Sequence, residues 1–248
     1  MLFLLIHLPN YSLYCSTMAR YALTDVHGCA QTLKALVLGK LKLQKQDELY
    51  VLGDLVNKGP DSKGVIDFII HLQKQHYNVQ CLRGNHDQML LKAASKGETA
   101  LSLSPPEKEL VLQSFGIHEF EQLAPKYVAF LSNLPYYLEL PDYFLVHAGF
   151  DFKQDNIFKD KEAMLNIRDY KPVPTKLSNK RLLHGHTPVA LHTIKKSVAH
   201  TNYSLNLDAG CVYYKNASYG NLIAIDLDSQ ELFIQQNEDR PYPVRRKS

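Results

Sequence analysis

No cysteine of this sequence belongs to a Cys-x-x-Cys pair; the four, Cys15, Cys29, Cys81 and Cys211, stand far apart. That excludes a zinc ribbon and a thioredoxin-like redox motif. A chain of 248 residues needs no disulfide to hold its core, so reduced thiols and a cytoplasmic setting are the simpler expectation. Net charge is nearly absent too. At +3 it gives no case for a nucleic-acid partner, and the one basic run, Arg245-Arg246-Lys247, reads as a solvated terminus. Long apolar runs are also missing. The Leu2 to Leu8 stretch is far shorter than the roughly 20 residues of a membrane span. No Lys or Arg precedes it, and nothing like an A-x-A site follows. Residues 1–17 are therefore expected to form a tail outside the fold, 18–240 a single domain, and 241–248 a basic C-terminal tail.

What is present is a repeating punctuation. Short apolar stretches at Tyr21 to Thr24, Leu49 to Leu52 and Val79 to Leu82 alternate with helical patterns, the first of them carrying Leu33, Leu36, Val37 and Leu41. Asp61 is placed to cap the second helix. This strand–helix alternation implies a largely parallel sheet. Residues 96–134 differ. Pro105-Pro106 and two amphipathic stretches, Glu107 to Phe115 and Glu119 to Leu131, predict a helical insertion that walls the site. After Pro135 the spacing predicts strands over Tyr136 to Leu140, Tyr143 to Val146, Arg181 to Leu183, Leu205 to Leu207, Asn221 to Asp226 and Glu231 to Gln235, the last two as a hairpin near Asp228-Ser229.

The strands end in polar residues of one kind: Asp25 and His27, Asp54, Asn85 and His86, His147, then His184 and His186. In an open α/β sheet, ligands bind outside the carboxyl ends of the strands. Five segments thus deliver carboxylate, imidazole and amide oxygen to one rim, a donor set that suits Mn, Fe, Zn or Mg rather than copper or an iron–sulfur cluster. Singly, each residue has a plainer reading. Asp25 can cap a helix, Asp54 and Asn85 can shape turns, and His147 can be a hydrogen-bonded core histidine. Five in one order make a site the better account.

The segments D-V-H-G (25–28), G-D-L-V-N-K-G-P-D-S (53–62), G-N-H-D (84–87), H-A-G (147–149) and G-H-T-P (185–188) resemble, in that order, the calcineurin-like metallophosphoesterases, and within them the phosphoprotein phosphatase branch. The resemblance covers about residues 20–227. It implies a mixed β-sandwich flanked by helices, and a catalytic domain holding two divalent ions, foremost Mn²⁺, with Fe, Zn or Mg as alternatives. Asp25 and His27 would bind the first ion, Asp54 would bridge, and Asn85, His147 and His186 would complete the second. His86 matches the catalytic acid, which Asn57 would orient. Lys58, Arg168 and Asn85 match phosphate-binding positions. The implied reaction is direct hydrolysis by in-line attack of a hydroxide held between the ions. A phosphorylated protein, as for a serine/threonine phosphatase, is the first expected substrate. The alternative is a dinucleoside polyphosphate, as for a symmetrical diadenosine tetraphosphatase. A metal- or phosphate-binding module without turnover is the reading from another class.

Two departures matter. Asn57-Lys58-Gly59 stands where the family often has Asp-Arg-Gly. Asn57 can orient His86 without favouring its charged form, and Lys58 keeps charge while losing the bidentate geometry of a guanidinium. Asn166 also replaces the tryptophan often found ahead of I-R-D (167–169). His184 fits as a residue behind the ligands, Cys29 and Cys81 as buried packing, and His71, His76, His118, His192 and His200 as surface. Asp208 is open between a loop role and a functional one. Tyr213-Tyr214 is open between stacking on a base and filling the rim.

Overall fold

The computed structural model describes residues 18–97, 102–200 and 202–240. The expected N- and C-terminal tails lie outside that range. Strand β1 (Arg20–Leu23) pairs in parallel with β2 (Glu48–Val51), and β2 with β3 (Asn78–Cys81). Tyr21, Leu23, Leu49, Tyr50 and Val51 are buried because both faces of β1 and β2 are covered, whereas β3 at the sheet edge buries Val79 and Cys81 and exposes Asn78 and Gln80. Tyr21 and Leu23 point to the helices, whereas Ala22 points to the second sheet. The connecting helices are α1 (Ala30–Lys34) and α2 (Ser62–Lys74), followed after β3 by α3 (Asn85–Lys96). Asp61 caps α2 as expected, its Oδ1 accepting from Gly64 N at 2.7 Å. The first helix is not uniform. Over Ala35–Lys40 it widens to π geometry, and Leu41 N reaches Leu36 O at 2.9 Å, which places both Leu36 and Val37 in the core.

The insertion folds as α4 (Pro105–Phe115) and α5 (Pro125–Ser132). Its second helix starts later than expected, because Pro125 opens it and a 3₁₀ turn at Phe120–Gln122 precedes it. Helix α4 lies against α2 and α5 against α3. Strands β4 (Tyr137–Glu139), β5 (Tyr143–Val146), β6 (Arg181–His184) and β7 (Ser204–Asn206) then form a second sheet. Helices α6 (Lys161–Asn166) and α7 (Leu191–Ala199) interrupt this half, where strands were expected to dominate and no helix was placed. Strand β8 (Asn221–Asp226) returns antiparallel to β1 and makes a hairpin with β9 (Leu232–Gln236). The two sheets run β3-β2-β1-β8-β9 and β4-β5-β6-β7.

Ala22, Tyr50, Leu52, Leu82 and Ile223 from the first sheet meet Leu145, Leu183 and Leu205 from the second between the layers. This is the expected mixed α/β sandwich. Arg20 clamps its far end, with hydrogen bonds to both Asp142 and Asp228. The carboxyl ends of β1, β2, β3, β5 and β6 open at the other end. Among the described residues no helix is long and apolar enough to cross a membrane.

Candidate metal centre

Backbone strain gathers where those strands end. Asp25, His27, Asp54, Asn57, Lys58 and His186 all have positive φ, six of the eleven such non-glycine residues described. Left-handed backbone at side chains of these types costs energy that the surroundings must offset. The loops hold one another in place: His27 N donates to Asp54 O at 2.8 Å, and Gly185 N to His147 O at 2.8 Å. Gly84 and Gly185 allow close approach. A Cβ on the first would land on Asp54 Oδ1, and one on the second on Asp25 Oδ2.

The result brings together the sequence-predicted ligands. Asp54 is buried, with Oδ2 3.4 Å from His27 Nε2 and Oδ1 3.5 Å from His147 Nε2. Asp25 Oδ1 lies 3.9 Å from His27 Nε2 and has no hydrogen-bond partner among the described residues. Asn85 Oδ1 is 3.0 Å from His147 Nε2 and 3.1 Å from His186 Nδ1, and those two ring nitrogens are 3.2 Å apart. Donor atoms of His27, Asp54 and His86 form one close group, and those of Asp54, His147 and His186 another.

The tautomers follow from the carbonyls behind the rings. His27 Nδ1 lies 3.2 Å from Val56 O, and His147 Nδ1 3.0 Å from Leu52 O. A carbonyl only accepts, so both Nδ1 atoms carry the hydrogen and both Nε2 lone pairs face inward. Burial holds both rings well toward the neutral form, as a metal ligand requires. Burial also raises the Asp54 carboxyl well above its usual range, helped by the charge of Asp25. Lone pairs of His147 and Asn85 that face each other at 3.0 Å with no hydrogen between them fit a divalent cation. The donor set present therefore suits the two ions that the sequence implied.

The other expected residues surround this cluster. His86 is buried at the start of α3, its ring 4.9 Å edge-on from that of His27. Burial, then Lys58, His147 and His186, push its pKa down to about 2. Asn57 Nδ2 donates to His86 O at 3.2 Å and lies 3.2 Å from His86 Nδ1. Lys58 Nζ is 3.0 Å from His27 Nε2 and 5.8 Å from the Tyr213 ring. Arg168 is exposed, yet near enough for its charge to help lower His186, whose pKa burial brings to about 3.

His184 belongs to neither donor group; its ring sits 5.7 Å from Tyr170. Cys29 and Cys81 are buried as expected, and His71, His76, His118, His192 and His200 are exposed. Asp208 is buried with its carboxyl driven well up by burial and by Asp25, and it accepts from Gly210 N at 2.8 Å.

Two residues escaped the sequence reading. Asp87 accepts from Leu55 N at 3.0 Å and Gly84 N at 2.8 Å, joining the two loops that carry Asp54 and Asn85. Arg83 is a buried cation beside them. Asp87 closes the G-N-H-D string and Arg83 directly precedes it, and neither has a spacing signal of its own.

A mixed sandwich with convergent Asp, Asn and His at its strand ends defines a metallophosphoesterase scaffold. The profile of the calcineurin-like phosphoesterase family matches residues 18–217, and the chain belongs to that family. Among curated relatives, it is 35% identical over 117 residues to a symmetrical bis(5'-nucleosyl)-tetraphosphatase of Ectopseudomonas mendocina, 42% of this chain and 42% of that one. It is 43% identical over 88 residues to one of Neisseria gonorrhoeae, 35% of this chain and 30% of that one. The chain thus spans less than half the length of these relatives. A serine/threonine phosphatase of Saccharomyces cerevisiae shares the fold at TM-score 0.61 and 15% identity, covering 93% of this chain and 82% of that one. A metallophosphoesterase of Sphaerobacter thermophilus does so at TM-score 0.52 and 17% identity, covering 90% and 89%.

Proposed function

We propose that this protein is a dinuclear metal-dependent phosphohydrolase. The observation that carries the reading is the Asp54 carboxylate, which turns one oxygen to His27 and the other to His147, as a ligand shared by two ions must. In this reading Asp25 and His27 hold one ion, and Asn85, His147 and His186 the other. Two such cations, when bound, polarise phosphate oxygens and acidify water. Lys58 and Arg168 supply positive charge to the phosphate, with Asn85 at its edge. His86 stands beside the cluster to give a proton to the leaving oxygen, and Asn57 fixes its ring.

Of the substrate classes, phosphoproteins came first from sequence. The names of the relatives favour dinucleoside polyphosphates, whereas the likeness to the yeast phosphatase rests on fold alone. A manganese-supplemented panel of phosphopeptides, diadenosine tetraphosphate and p-nitrophenyl phosphate tests the reading. Turnover should vanish with chelator, and His86→Asn should lower kcat by roughly 10²–10⁴-fold with both ions retained. A metal-loaded protein inert toward all three would sink it and leave a binding module.

A further inference from the structure

Beside the metal centre lies a cleft of about 420 Å³ whose lining includes Asn85, Gln88, Lys92, Tyr136, Lys161 and Glu162. Asn85, Gln88 and Lys92 recur on one face of α3, so the cleft starts at a proposed ligand and runs outward. Seven residues of helix carry it about 10 Å along the axis. The opposite side comes from Tyr136 and α6. The insertion expected to build this wall contributes, among the described residues, only Ser102.

Among the described residues, the charges around the cleft do not balance. Arg83 lies beneath it, 9% exposed. Its Nη1 donates to Gln88 Oε1 at 2.9 Å and Tyr136 Oη at 3.1 Å, and its Nη2 to Leu131 O at 3.1 Å and Ser132 O at 2.7 Å. All four acceptors are neutral, and among the described residues Nε has no partner. A buried guanidinium without a carboxylate is costly unless an anion approaches it. Lys161 Nζ sits 4.9 Å from the same Tyr136 ring. Among the described residues, neither Lys161 nor Lys92 has an ion-pair partner. The one carboxylate among the described lining residues, Glu162, accepts from Asn166 Nδ2 at 2.7 Å. Arg83 occupies Gln88 Oε1, which leaves the Gln88 amide hydrogens for a ligand.

The geometry points to this cleft as a subsite for a second phosphate, carried on the leaving group of the substrate. The inference rests on the phosphohydrolase reading and deepens it. A phosphoanhydride chain that leaves the metal centre past Asn85 meets the Gln88 amide, then Lys161 and Lys92, over the buried charge of Arg83. An uncharged leaving group, such as a serine side chain, gains nothing from these cations. Tyr136 acts here as a support for cations, its ring within 4.9 Å of both Arg83 and Lys161.

The test is binding to the manganese-loaded protein by calorimetry. A methylene-bridged, non-hydrolysable analogue of diadenosine tetraphosphate is compared with phenylphosphonate, which offers one anionic group only. Wild type should prefer the analogue. Lys92→Ala/Lys161→Ala should cut the ratio of the two affinities by about tenfold, the worth of one charge-assisted hydrogen bond. Lys92→Arg/Lys161→Arg should keep it. An unchanged ratio, or equal weakening of both ligands, overturns the subsite. Hydrolysis by wild type of the same panel of phosphopeptides, diadenosine tetraphosphate and p-nitrophenyl phosphate tests the underlying reading separately. No turnover together with a lysine-dependent preference would discard the hydrolase and retain the anion subsite.

Discussion

At the scale of single residues, the site is a set of lone pairs held face to face. The convergent side-chain types were legible because each sits in a short local string, and because Asp, Asn and His at strand ends have few structural reasons to recur. The proton inventory was not legible, since it depends on groups distant in sequence. Asn57 shows this. Its Nδ2 donates to His86 O, and the same NH₂ faces His86 Nδ1 at 3.2 Å. Nδ1 is therefore the acceptor, and the neutral ring keeps its proton on Nε2. An aspartate at 57 would instead favour Nδ1–H and the charged ring. Opposite charge at this range raises a histidine pKa by about 1–3 units. Burial holds His86 down to about 2, so the limb on which its charged form is lost lies on the acid side, and Asn57→Asp should move that limb of the kcat profile to higher pH. The lost bond to His86 O should cost about 1 kcal/mol of stability. A limb that stays in place in Asn57→Asp would mean that His86 is not the group being titrated.

At the scale of elements, the start of α3 matters most. Gly84 is its N-cap and Asp87 its third residue, an ordinary capping position by sequence. The structure gives that carboxylate a second task, since its other oxygen accepts from Leu55 N in the loop of Asp54. Sequence patterning finds helix starts but not which neighbouring loop they brace, and so Asp87 was passed over. The same limit hid the π turn after α1, the 3₁₀ turn before α5, and α6, whose six residues are too few for a periodic signal. Asp87→Ala should strand two buried N–H groups at about 1–3 kcal/mol each, measurable as a lower urea midpoint. Because both loops carry proposed ligands, metal affinity should also fall about 10–100-fold, the usual effect of removing an outer partner. Loss of stability with unchanged metal affinity would make Asp87 a cap only.

At the scale of the whole molecule, the centre joins two sheets. Asp25, Asp54 and Asn85 follow strands of the first, and His147 and His186 follow strands of the second. Alternation along the chain revealed strands and helices but not this division. The pairing of β1 with β8 joins residues some 200 apart, and nothing local specifies it. Arg20 clamps one end of the sandwich, whereas the other end presents buried carboxyls. Burial, then the charge of Asp54, raise Asp87 to about 7, and Asp54 is also raised. An unfolded aspartate titrates near ~3.9. Between that value and 7 the native, metal-stripped protein holds protons that the unfolded chain has released, so its stability should fall as pH rises through this window. Two cations, when bound, would supply the missing positive charge and reverse the penalty. At 100 times the dissociation constant, a ligand stabilises by about 2.7 kcal/mol. For a chain of this size that corresponds to a Tm rise of about 5–10 °C. Differential scanning calorimetry with and without manganese should show that rise at pH 7.5 and a smaller one at pH 5.5, where protons already occupy the carboxyls. A Tm indifferent to chelator at both values would mean that these residues do not share ions across the sheets.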